Sequence, residues 1–351
     1  MKRRVVVLVG MALGVNACSD ALEQTTSAGQ VIGVVNSSDR TLSLIAASDF
    51  SVSTRTWQSA TATPGTIDGR GSVFLVPLGR ADAVAVDRLP LPCGPGALCA
   101  NPDYVLPLAT GSGATGVAIQ DDSIAWVANP NLNTVTRINY LNGDTASVTV
   151  GVHPQAVAIV GARVFVVNGN LVGSSPAGPS WITSFDCCGV RTPDSIPLTG
   201  MNGRFAVIGD DSLLYVVTSG HTGEADGKLS IVDPVSRTEV AVLNGLGESP
   251  GAAAFHPAGG RLLIASLAEG ILEVNTTVRS ITRGPGNGVK PGDHGVSGLA
   301  IDLRGRVYAV DPGSCAATGT VHVLTAPPGY REIQTVAVGV CPATAAVAAT
   351  P

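Results

Sequence analysis

The sequence predicts an all-β fold, a single seven-bladed β-propeller of four-stranded antiparallel blades, and three observations support this prediction. A short apolar run rich in β-branched residues recurs seven times, at intervals of roughly forty to fifty residues, which is the spacing typical of propeller blades. A second run of the same kind follows each copy of the first. The 43 glycines and 23 prolines suit a fold with many tight turns, and no long helical periodicity follows residue 20.

The two recurring runs predict the two middle strands of each blade. The first run is found at VIGVVN 31–36, SVFLVP 72–77, IAWVAN 124–129, RVFVVN 163–168, LLYVVT 213–218, RLLIAS 261–266 and RVYAVD 306–311. The second run is found at TLSLIA 41–46, DAVAVD 82–87, TVTRIN 134–139, WITSFD 181–186, KLSIVD 228–233, GILEVN 270–275 and TVHVLT 320–325. Because both runs occur seven times, the sequence predicts seven blades.

A third segment predicts the innermost strand, which lies near the ring axis, where small side chains fit best. Such segments precede the first run at PGTI 64–67, GVAI 116–119, AVAI 156–159, FAVI 205–208, AAAF 252–255 and GLAI 298–301. The seventh copy is missing before Val31, whereas Cys341–Val347 at the C-terminus aligns with His153–Ile159. We therefore expect the C-terminal strand to complete the first blade, which closes the ring and removes free sheet edges.

One column of the repeat collects aromatic residues. The third position of the first run holds Gly33, Phe74, Trp126, Phe165, Tyr215, Leu263 and Tyr308. These rings could form a sugar-stacking platform, or they could pack between neighbouring blades. The repetition of the column around the ring favours packing.

The block from 124 to 159 resembles a YVTN-type propeller repeat. WVAN matches the tetrad, NTVTRIN matches its second strand, and VTVGVHPQAVAI matches its characteristic ending. The resemblance extends over all seven blades and is close in two or three of them. It implies a propeller, often on secreted or surface proteins, in a group that includes scaffolds, ligand binders and some lactonases and lyases. It therefore implies the fold more than the chemistry.

The N-terminus is typical of a targeting segment. Three basic residues at 2–4 precede an apolar core from Val5 to Val15, which is too short to span a bilayer comfortably. The following residues, through Ala17 and Cys18, resemble a bacterial lipoprotein signal, in which the cysteine becomes the lipidated first residue. An ordinary secretory signal is the alternative. The predicted division is a signal peptide at 1–17, a lipidated Cys18 with a polar linker at 18–30, and the propeller at 31–351.

Either signal predicts a mature protein outside the cytoplasm, with the lipid anchor as its only membrane attachment. Removal of the signal takes three basic and no acidic residues, which changes the formal charge from −5 to −8. No basic run follows, so the composition argues against nucleic acid as a partner.

The cysteines predict disulfide bonds. Six cysteines remain besides the lipidated one, an even number in an oxidising compartment. Cys315 and Cys341 lie in connections that emerge on the same face of the ring, so a bond between them would hold the closing strand. Cys93 and Cys99 flank GPGAL and are predicted to pair locally. The adjacent cysteines at 187–188 could form a vicinal disulfide or remain two free thiols.

Long loops concentrate in blades 4 to 7. They span 169–180, 219–227, 284–297 and 312–319, on the face where loops enter the innermost strands. Irregular loops on a rigid scaffold are where binding and catalytic residues concentrate. We therefore place the functional surface there.

Histidines and carboxylates on this face are the candidate site residues. The candidate catalytic residues are His153, His221 and His294. The candidate binding residues are Glu224, Asp226, Asp293 and Arg204. Histidine with carboxylate can hold a divalent metal or act as acid and base, although HExxH and GxSxG motifs and phosphate loops are absent. Alternatively these are ordinary loop residues, with His153 in a Gly-x-His-Pro turn; His256 and His322 are interpreted as structural.

The sequence predicts a binding or scaffold propeller at the bacterial cell envelope that contacts an envelope protein or a small ligand through the loops of blades 4 to 7. The alternative is a metal-assisted lactonase or lyase, which requires His153, His221 and His294 to converge to metal-ligand distance. No cofactor is predicted for the binding module, and a divalent metal belongs to the alternative.

Overall fold

Seven four-stranded antiparallel sheets form the seven blades of a β-propeller in a computed structural model that describes residues 29–60, 62–88, 101–188 and 193–349. For residues 87–88 and 101–104 the backbone alone is described. These ranges contain no α-helix, and a short 3-10 turn lies at Pro130–Leu132. Within them, no helix has the length and apolarity needed to cross a membrane. The predicted all-β propeller is confirmed.

Each blade runs from an innermost strand near the axis to an outermost strand at the rim. Blade 1 contains β30 (Pro342–Ala349), β1 (Gln30–Asn36), β2 (Thr41–Ala46) and β3 (Val52–Gln58). Blade 2 contains β4 (Asp68–Arg70), β5 (Val73–Leu78), β6 (Ala83–Arg88) and β7 (Asn101–Pro107). Blade 3 contains β8 (Val117–Ile119), β9 (Ile124–Asn129), β10 (Thr134–Asn139) and β11 (Thr145–Thr149). Blade 4 contains β12 (Pro154–Val160), β13 (Arg163–Asn168), β16 (Pro179–Asp186) and β17 (Asp194–Met201).

The remaining three blades follow the same order. Blade 5 contains β18 (Gly203–Ile208), β19 (Leu214–Thr218), β20 (Lys228–Asp233) and β21 (Thr238–Asn244). Blade 6 contains β22 (Pro250–Phe255), β23 (Arg261–Ser266), β24 (Gly270–Asn275) and β25 (Ser280–Arg283). Blade 7 contains β26 (Gly298–Ile301), β27 (Val307–Asp311), β28 (Thr318–Leu324) and β29 (Glu332–Val340). A two-stranded hairpin, β14 (Leu171–Val172) and β15 (Ser175–Pro176), extends from blade 4.

Burial differs systematically across a blade. All six residues of β9 are buried, whereas the outermost strand of the same blade, β11, is mostly exposed. The middle strands are covered on both faces by the neighbouring blades, and strands buried on both faces form continuous apolar runs. This explains why the sequence predicts the middle strands and does not predict the outermost strands.

The C-terminal strand closes the ring as predicted. β30 pairs antiparallel with β1, with Gly33 opposite Ala346 and Val31 opposite Ala348. The first blade is therefore assembled from both ends of the described chain. This pairing covers the inner edge of β1, so that edge does not remain free for other chains.

The innermost strand of blade 2 differs from the prediction, and it packs against Phe74. The segment 64–67 was expected to form the innermost strand of blade 2, but that strand is β4, and Pro64 makes only an isolated bridge to Leu78. The register places Gly69 opposite Phe74. A Cβ atom at Gly69 would lie 2.9 Å from the Phe74 ring, and one at Gly33 of blade 1 would also lie 2.9 Å from it. The Phe74 ring therefore leaves no room for a side chain at either position, and the carbonyl oxygen of Val347 crowds Gly69 further. The strand that contains Gly69 is a polar segment.

The aromatic column packs between blades, as the repetition predicted. Its five aromatic side chains are fully buried: Phe74, Trp126, Phe165, Tyr215 and Tyr308. Trp126 makes an edge contact with Phe185 at a centroid distance of 5.4 Å, and Tyr215 contacts Phe255 at 5.1 Å. Such contacts stabilise the blade interface, and none of the five rings is available to stack on a ligand.

The structure also answers part of the cysteine prediction. Cys315 and Cys341 form a disulfide bond with a Cα–Cα distance of 4.3 Å. The thiols of Cys187 and Cys188 are free, and their sulfur atoms lie 2.9 Å apart. Burial raises the pKa of Cys187 to about 11, so this thiol is protonated and unreactive at neutral pH. Cys93 and Cys99 lie outside the described residues.

Replacing both Cys315 and Cys341 with serine should destabilise the ring. The bond joins positions 26 residues apart, and loss of such a cross-link lowers the free energy of unfolding by about 3 kcal/mol. Denaturant titration of wild type and the double variant measures the difference. Ser314→Ala, on the same exposed loop, is the control and should leave the midpoint unchanged. Equal midpoints for the double variant and wild type would contradict a latching role.

Candidate functional site

The long loops lie on one face of the ring, which we call the loop face. It contains the loops that enter the innermost strands and the loops that join the second and third strands, because successive strands of a blade alternate in direction. The loops at 169–178, 219–227, 284–297 and 312–317 all belong to it. Two of them, in blades 5 and 7, bring histidine and carboxylate side chains together.

The blade 5 loop brings His221, Glu224 and Asp226 into one group, which we call the blade 5 triad. One ligand atom from each residue lies within 4.8 Å of the others. The Nδ1 atom of His221 lies 2.8 Å from Asp226 Oδ2 and 3.6 Å from Glu224 Oε2. In the part of the chain that the structure describes, no other group of three histidine, cysteine or acidic side chains meets this distance.

Backbone contacts hold the triad loop in its conformation. The other oxygen of Asp226, Oδ1, accepts a hydrogen bond of 2.9 Å from the backbone N–H of His221. Gly220 has a φ of +69°, and a Cβ atom there would collide with the Asp226 carboxylate. At the base of the loop, Gly227 N–H donates to Gly247 O over 3.0 Å and Ser219 Oγ donates to Pro250 O over 2.6 Å. The loop is therefore fixed to blade 6.

The carboxylates change the titration of the imidazole. The hydrogen bond to Asp226 raises the pKa of His221 above its usual 6.5, partial desolvation opposes this, and the charge of Glu224 adds to the increase. The His221 side chain is 39% exposed, so solvent reaches the group. A metal ion of tetrahedral geometry separates its N and O ligands by roughly 3.4 Å, given bonds of about 2.0–2.2 Å. The triad is close to that spacing.

Blade 7 contains a second cluster, formed by His294, Asp311, His322 and Glu332, which we call the blade 7 relay. Asp311 lies between two imidazoles, 3.4 Å from His294 Nδ1 and 3.9 Å from His322 Nε2. His322 Nδ1 also lies 2.9 Å from Glu332 Oε2. The Asp311 side chain is only 7% exposed whereas that of His294 is 49% exposed. A buried carboxylate therefore lies next to an accessible imidazole.

The blade 7 relay occupies positions that form a neutral network in other blades. At the end of the second strand, Asn36, Asn129 and Asn168 donate through Nδ2 to a hydroxyl on the third strand, over 3.0, 2.8 and 2.9 Å. In blade 7 the register places Asp311 and His322 at the corresponding positions. An amide–hydroxyl pair is thus replaced by a carboxylate and an imidazole. The backbone of Gly292 lies directly over them, since a Cβ atom there would collide with Asp311.

His153 belongs to a turn that recurs in the blades. It has a φ of +54°, and the equivalent residues in the other loops that enter an innermost strand also have positive φ: Gly113, Asn202, Ser249, Gly295 and Cys341. Its backbone N–H donates to Asn133 Oδ1 over 2.9 Å, and its carbonyl accepts from Gly169 N–H. Burial lowers the pKa of its imidazole. These observations assign His153 to the scaffold.

The three candidate histidines do not converge, which corrects the expectation behind the metal-assisted alternative. His221 is the only one of them in a group with metal-ligand spacing within the described residues. His153 is held in its repeat turn, and His294 pairs with Asp311 in blade 7. The physical reason is that each loop anchors its own histidine to a different blade. Asp293, the neighbour of His294, is exposed and belongs to neither cluster.

Arg204 lies elsewhere, in the central channel. The innermost strands enclose a cavity of about 430 Å³ whose walls are mainly Ala, Val, Ile and Gly. Among its lining residues only Asp68 and Arg204 are ionisable. Burial raises the pKa of Asp68 to about 6, against hydrogen bonds from the N–H groups of Ile119 and Gly69. Burial lowers the pKa of Arg204.

Sequence reasoning missed several of these residues. The sequence pattern does not single out Asp311 or Glu332, it assigns His322 a structural role, and it predicts a strand at 64–67 that ends just before Asp68. A signal for Asp311 and His322 existed, because the column that holds Asn36, Asn129 and Asn168 contains an aspartate in blade 7. Glu332 offered no such signal, since its contact with His322 depends on the pairing of β28 with β29.

Comparisons with known proteins identify the fold. No family model matches the chain and no curated protein is similar to it at a significant level. Among solved structures, hydrazine synthase from Kuenenia stuttgartiensis is similar with a TM-score of 0.64 and 14% identity, covering 82% of this chain and 91% of that one. Apo AztD from Citrobacter koseri is similar with a TM-score of 0.60 and 12% identity, covering 91% and 98%.

A lyase is also among the similar structures. Virginiamycin B lyase from Staphylococcus aureus has a TM-score of 0.55 and 13% identity, covering 77% of this chain and 83% of that one. At these identities the likenesses show the shared propeller fold alone. Membership of the YVTN group therefore stays a prediction.

Replacing Asp226 with asparagine should lower the pKa of His221 towards 6.5. The substitution removes the carboxylate that most raises the pKa, because a neutral amide no longer favours the imidazolium. The measurement is an NMR titration of the His221 ring in both proteins. Asp293→Asn, an exposed carboxylate outside the triad, is the matched control and should not move the titration. A His221 pKa that is the same in wild type and Asp226→Asn would show that the contact is absent in solution.

Proposed function

We propose that the chain is an extracytoplasmic binding propeller that holds a divalent metal ion in the blade 5 triad and presents it on the loop face. The observation that carries this proposal is the position of one imidazole and two carboxylates within 4.8 Å of one another on an anchored loop. The hydrogen bond from the His221 backbone N–H to the Asp226 carboxylate, together with backbone contacts at the base of the loop, holds His221 and Asp226 in place. The loop and the Asp226 carboxylate are thus held in place before any ion binds.

The ligand set favours zinc or a similar transition metal. One imidazole and two carboxylates are nitrogen and oxygen ligands that Zn²⁺ accepts, whereas Ca²⁺ and Mg²⁺ prefer oxygen alone. Three protein ligands leave a coordination position open. The Glu224 side chain is 66% exposed, so the triad is open to solvent. A donor group from a small ligand or from an envelope protein can therefore complete the coordination.

The location outside the cytoplasm rests on the N-terminal sequence. A basic start, an apolar core and Cys18 in a lipoprotein-like context support export and lipid anchoring. Anchoring would keep the propeller at the envelope surface, where a binding face of blades 4 to 7 can contact a neighbouring protein. The acidic formal charge is compatible with attraction of cations.

The purified mature protein should bind Zn²⁺ at one site, and His221→Ala should weaken the affinity at least tenfold. Metal binds the neutral imidazole, and the raised pKa of His221 keeps it protonated to a higher pH than usual. Affinity should therefore increase as pH rises through that raised pKa and decrease below it. Isothermal titration calorimetry at several pH values, with any affinity tag removed, measures both effects.

His153→Ala removes a histidine from the same face without touching the triad, so it serves as the control and should bind Zn²⁺ as wild type does. The proposal fails if wild type does not bind Zn²⁺, or if His221→Ala binds it with unchanged affinity.

The blade 7 relay favours a second candidate function, a lyase with His294 as general base. Asp311 is buried and lies 3.4 Å from Nδ1 of the accessible His294 imidazole, which is placed to act as a base. The propeller fold is shared with virginiamycin B lyase, of which one structure is a catalytically inactive histidine-to-alanine variant with quinupristin. That likeness supports the propeller fold, and His294 of the blade 7 relay would be the general base.

Under this second candidate, wild type should convert quinupristin, and His294→Ala should reduce the rate by about 10²-fold or more, as expected for loss of a general base. Liquid chromatography of the reaction mixture measures conversion. His256→Ala, on the opposite face, should react as wild type does. Unchanged quinupristin after prolonged incubation with wild type would eliminate this candidate and leave the binding proposal intact.

A further inference from the structure

The central channel contains a charged side chain with no partner. Its walls are formed by the innermost strands, and most lining residues are small and apolar. Arg204 is the second residue of β18, close to the end at which that strand begins and hence close to the loop face. Within the described residues, no hydrogen bond or ion pair joins its guanidinium to a protein acceptor.

This isolation distinguishes Arg204 from arginines that stabilise the scaffold. Arg163 pairs with Asp186 and Asp194, at 3.0 and 2.5 Å. Arg306 pairs with Asp302 at 2.6 Å. Arg204 is exposed and lines the channel, so a ligand in the lumen can reach its guanidinium, and partial desolvation lowers its pKa. An accessible guanidinium without a counter-charge, next to apolar walls, is free to bind an anion that enters the channel.

Asp68 does not supply the counter-charge. Its Oδ1 accepts from Gly69 N–H over 2.9 Å and its Oδ2 accepts from Ile119 N–H over 2.8 Å. Asp68 therefore bridges the innermost strands of blades 2 and 3. It makes no ion pair with Arg204, and its pKa of about 6 leaves it partly neutral near that pH.

A neighbouring amide fixes the surroundings of Arg204. Gln155 occupies the corresponding position of blade 4, and its Nε2 donates to Asn202 Oδ1 over 2.9 Å and to Gly203 O over 3.1 Å. Both acceptors directly precede Arg204 in the chain. The start of β18 is therefore tied to blade 4, so the backbone that carries the guanidinium is held in place without any contact to the guanidinium itself.

We propose that the channel is a binding site for a small organic carboxylate, with the carboxylate on Arg204 and an apolar body along the channel wall. A guanidinium binds a carboxylate through two parallel hydrogen bonds. The alanine, valine and isoleucine side chains below it offer contact to a hydrocarbon chain. A volume of about 430 Å³ accommodates such a molecule. This site is independent of the blade 5 triad and goes beyond the proposed metal-binding function.

Hexanoate and hexanamide are matched probes for this site, since they share the hydrocarbon chain and differ in charge. Ligand-observed NMR titration of the mature protein should show saturable binding of hexanoate and at least tenfold weaker binding of hexanamide. Arg204→Gln should weaken hexanoate binding at least tenfold, and Arg331→Gln, which alters an exposed arginine of blade 7, should not. The proposal is overturned if wild type does not bind hexanoate, if hexanamide binds equally well, or if Arg204→Gln binds hexanoate as wild type does.

Thermal unfolding without ligand separates binding from a structural role. If Arg204 has no protein partner, Arg204→Gln should melt at the wild-type temperature or above it. A markedly lower melting temperature would show that the guanidinium stabilises the fold, which would also overturn the proposal. All titrations are run in EDTA and repeated with His221→Ala, which should bind hexanoate as wild type does, so that failure of the metal site and failure of the channel site remain distinguishable.

Discussion

Closure of the ring by the pairing of β30 with β1 is the constraint on which the rest of the structure depends. The innermost edge of blade 1 is covered by the C-terminal strand, so each middle strand can be buried between two neighbouring blades. The Phe74 ring then lies against Gly33 of blade 1 and Gly69 of blade 2. Close packing of this kind leaves no room for a side chain at either glycine. The disulfide between Cys315 and Cys341 adds a covalent link beside the closing strand.

Charged groups on the face opposite the loop face mostly join blades to one another. Arg306 pairs with Asp302 within blade 7 and donates to the carbonyl of Ala47 in blade 1. The buried Glu273 of blade 6 accepts from Arg261 at 2.6 Å and from the Tyr330 hydroxyl of blade 7 at 2.5 Å. These networks are satisfied by protein groups and need no ligand. They contrast with the loop face and the channel, where charged groups remain accessible or unpaired.

The accessible chemistry lies where the repeat is broken. The blade 5 triad lies on a loop, 219–227, that is longer than the corresponding loops of blades 1 to 3. The blade 7 relay replaces an amide–hydroxyl pair with Asp311 and His322. Arg204 is the one cationic side chain among the lining residues of a mainly apolar channel. The fold shared with hydrazine synthase, AztD and virginiamycin B lyase supports such sites without specifying them. Substitutions in the loops and the channel can add a functional site to such a scaffold, because its stability depends on the buried middle strands.

The sequence by itself determined the all-β class, the seven blades, the C-terminal closure and the Cys315–Cys341 bond. Alternating strands and buried apolar runs are local patterns, and the repeat made each one visible seven times. It also located His221, Glu224 and Asp226 on a long loop. The tertiary structure alone decided which side chains meet, because contacts across strands and between blades depend on register. The register places Gly69 opposite Phe74 and brings Glu332 to His322. The turn conformation of His153 assigns it to the scaffold, and Arg204 lies unpaired in the channel.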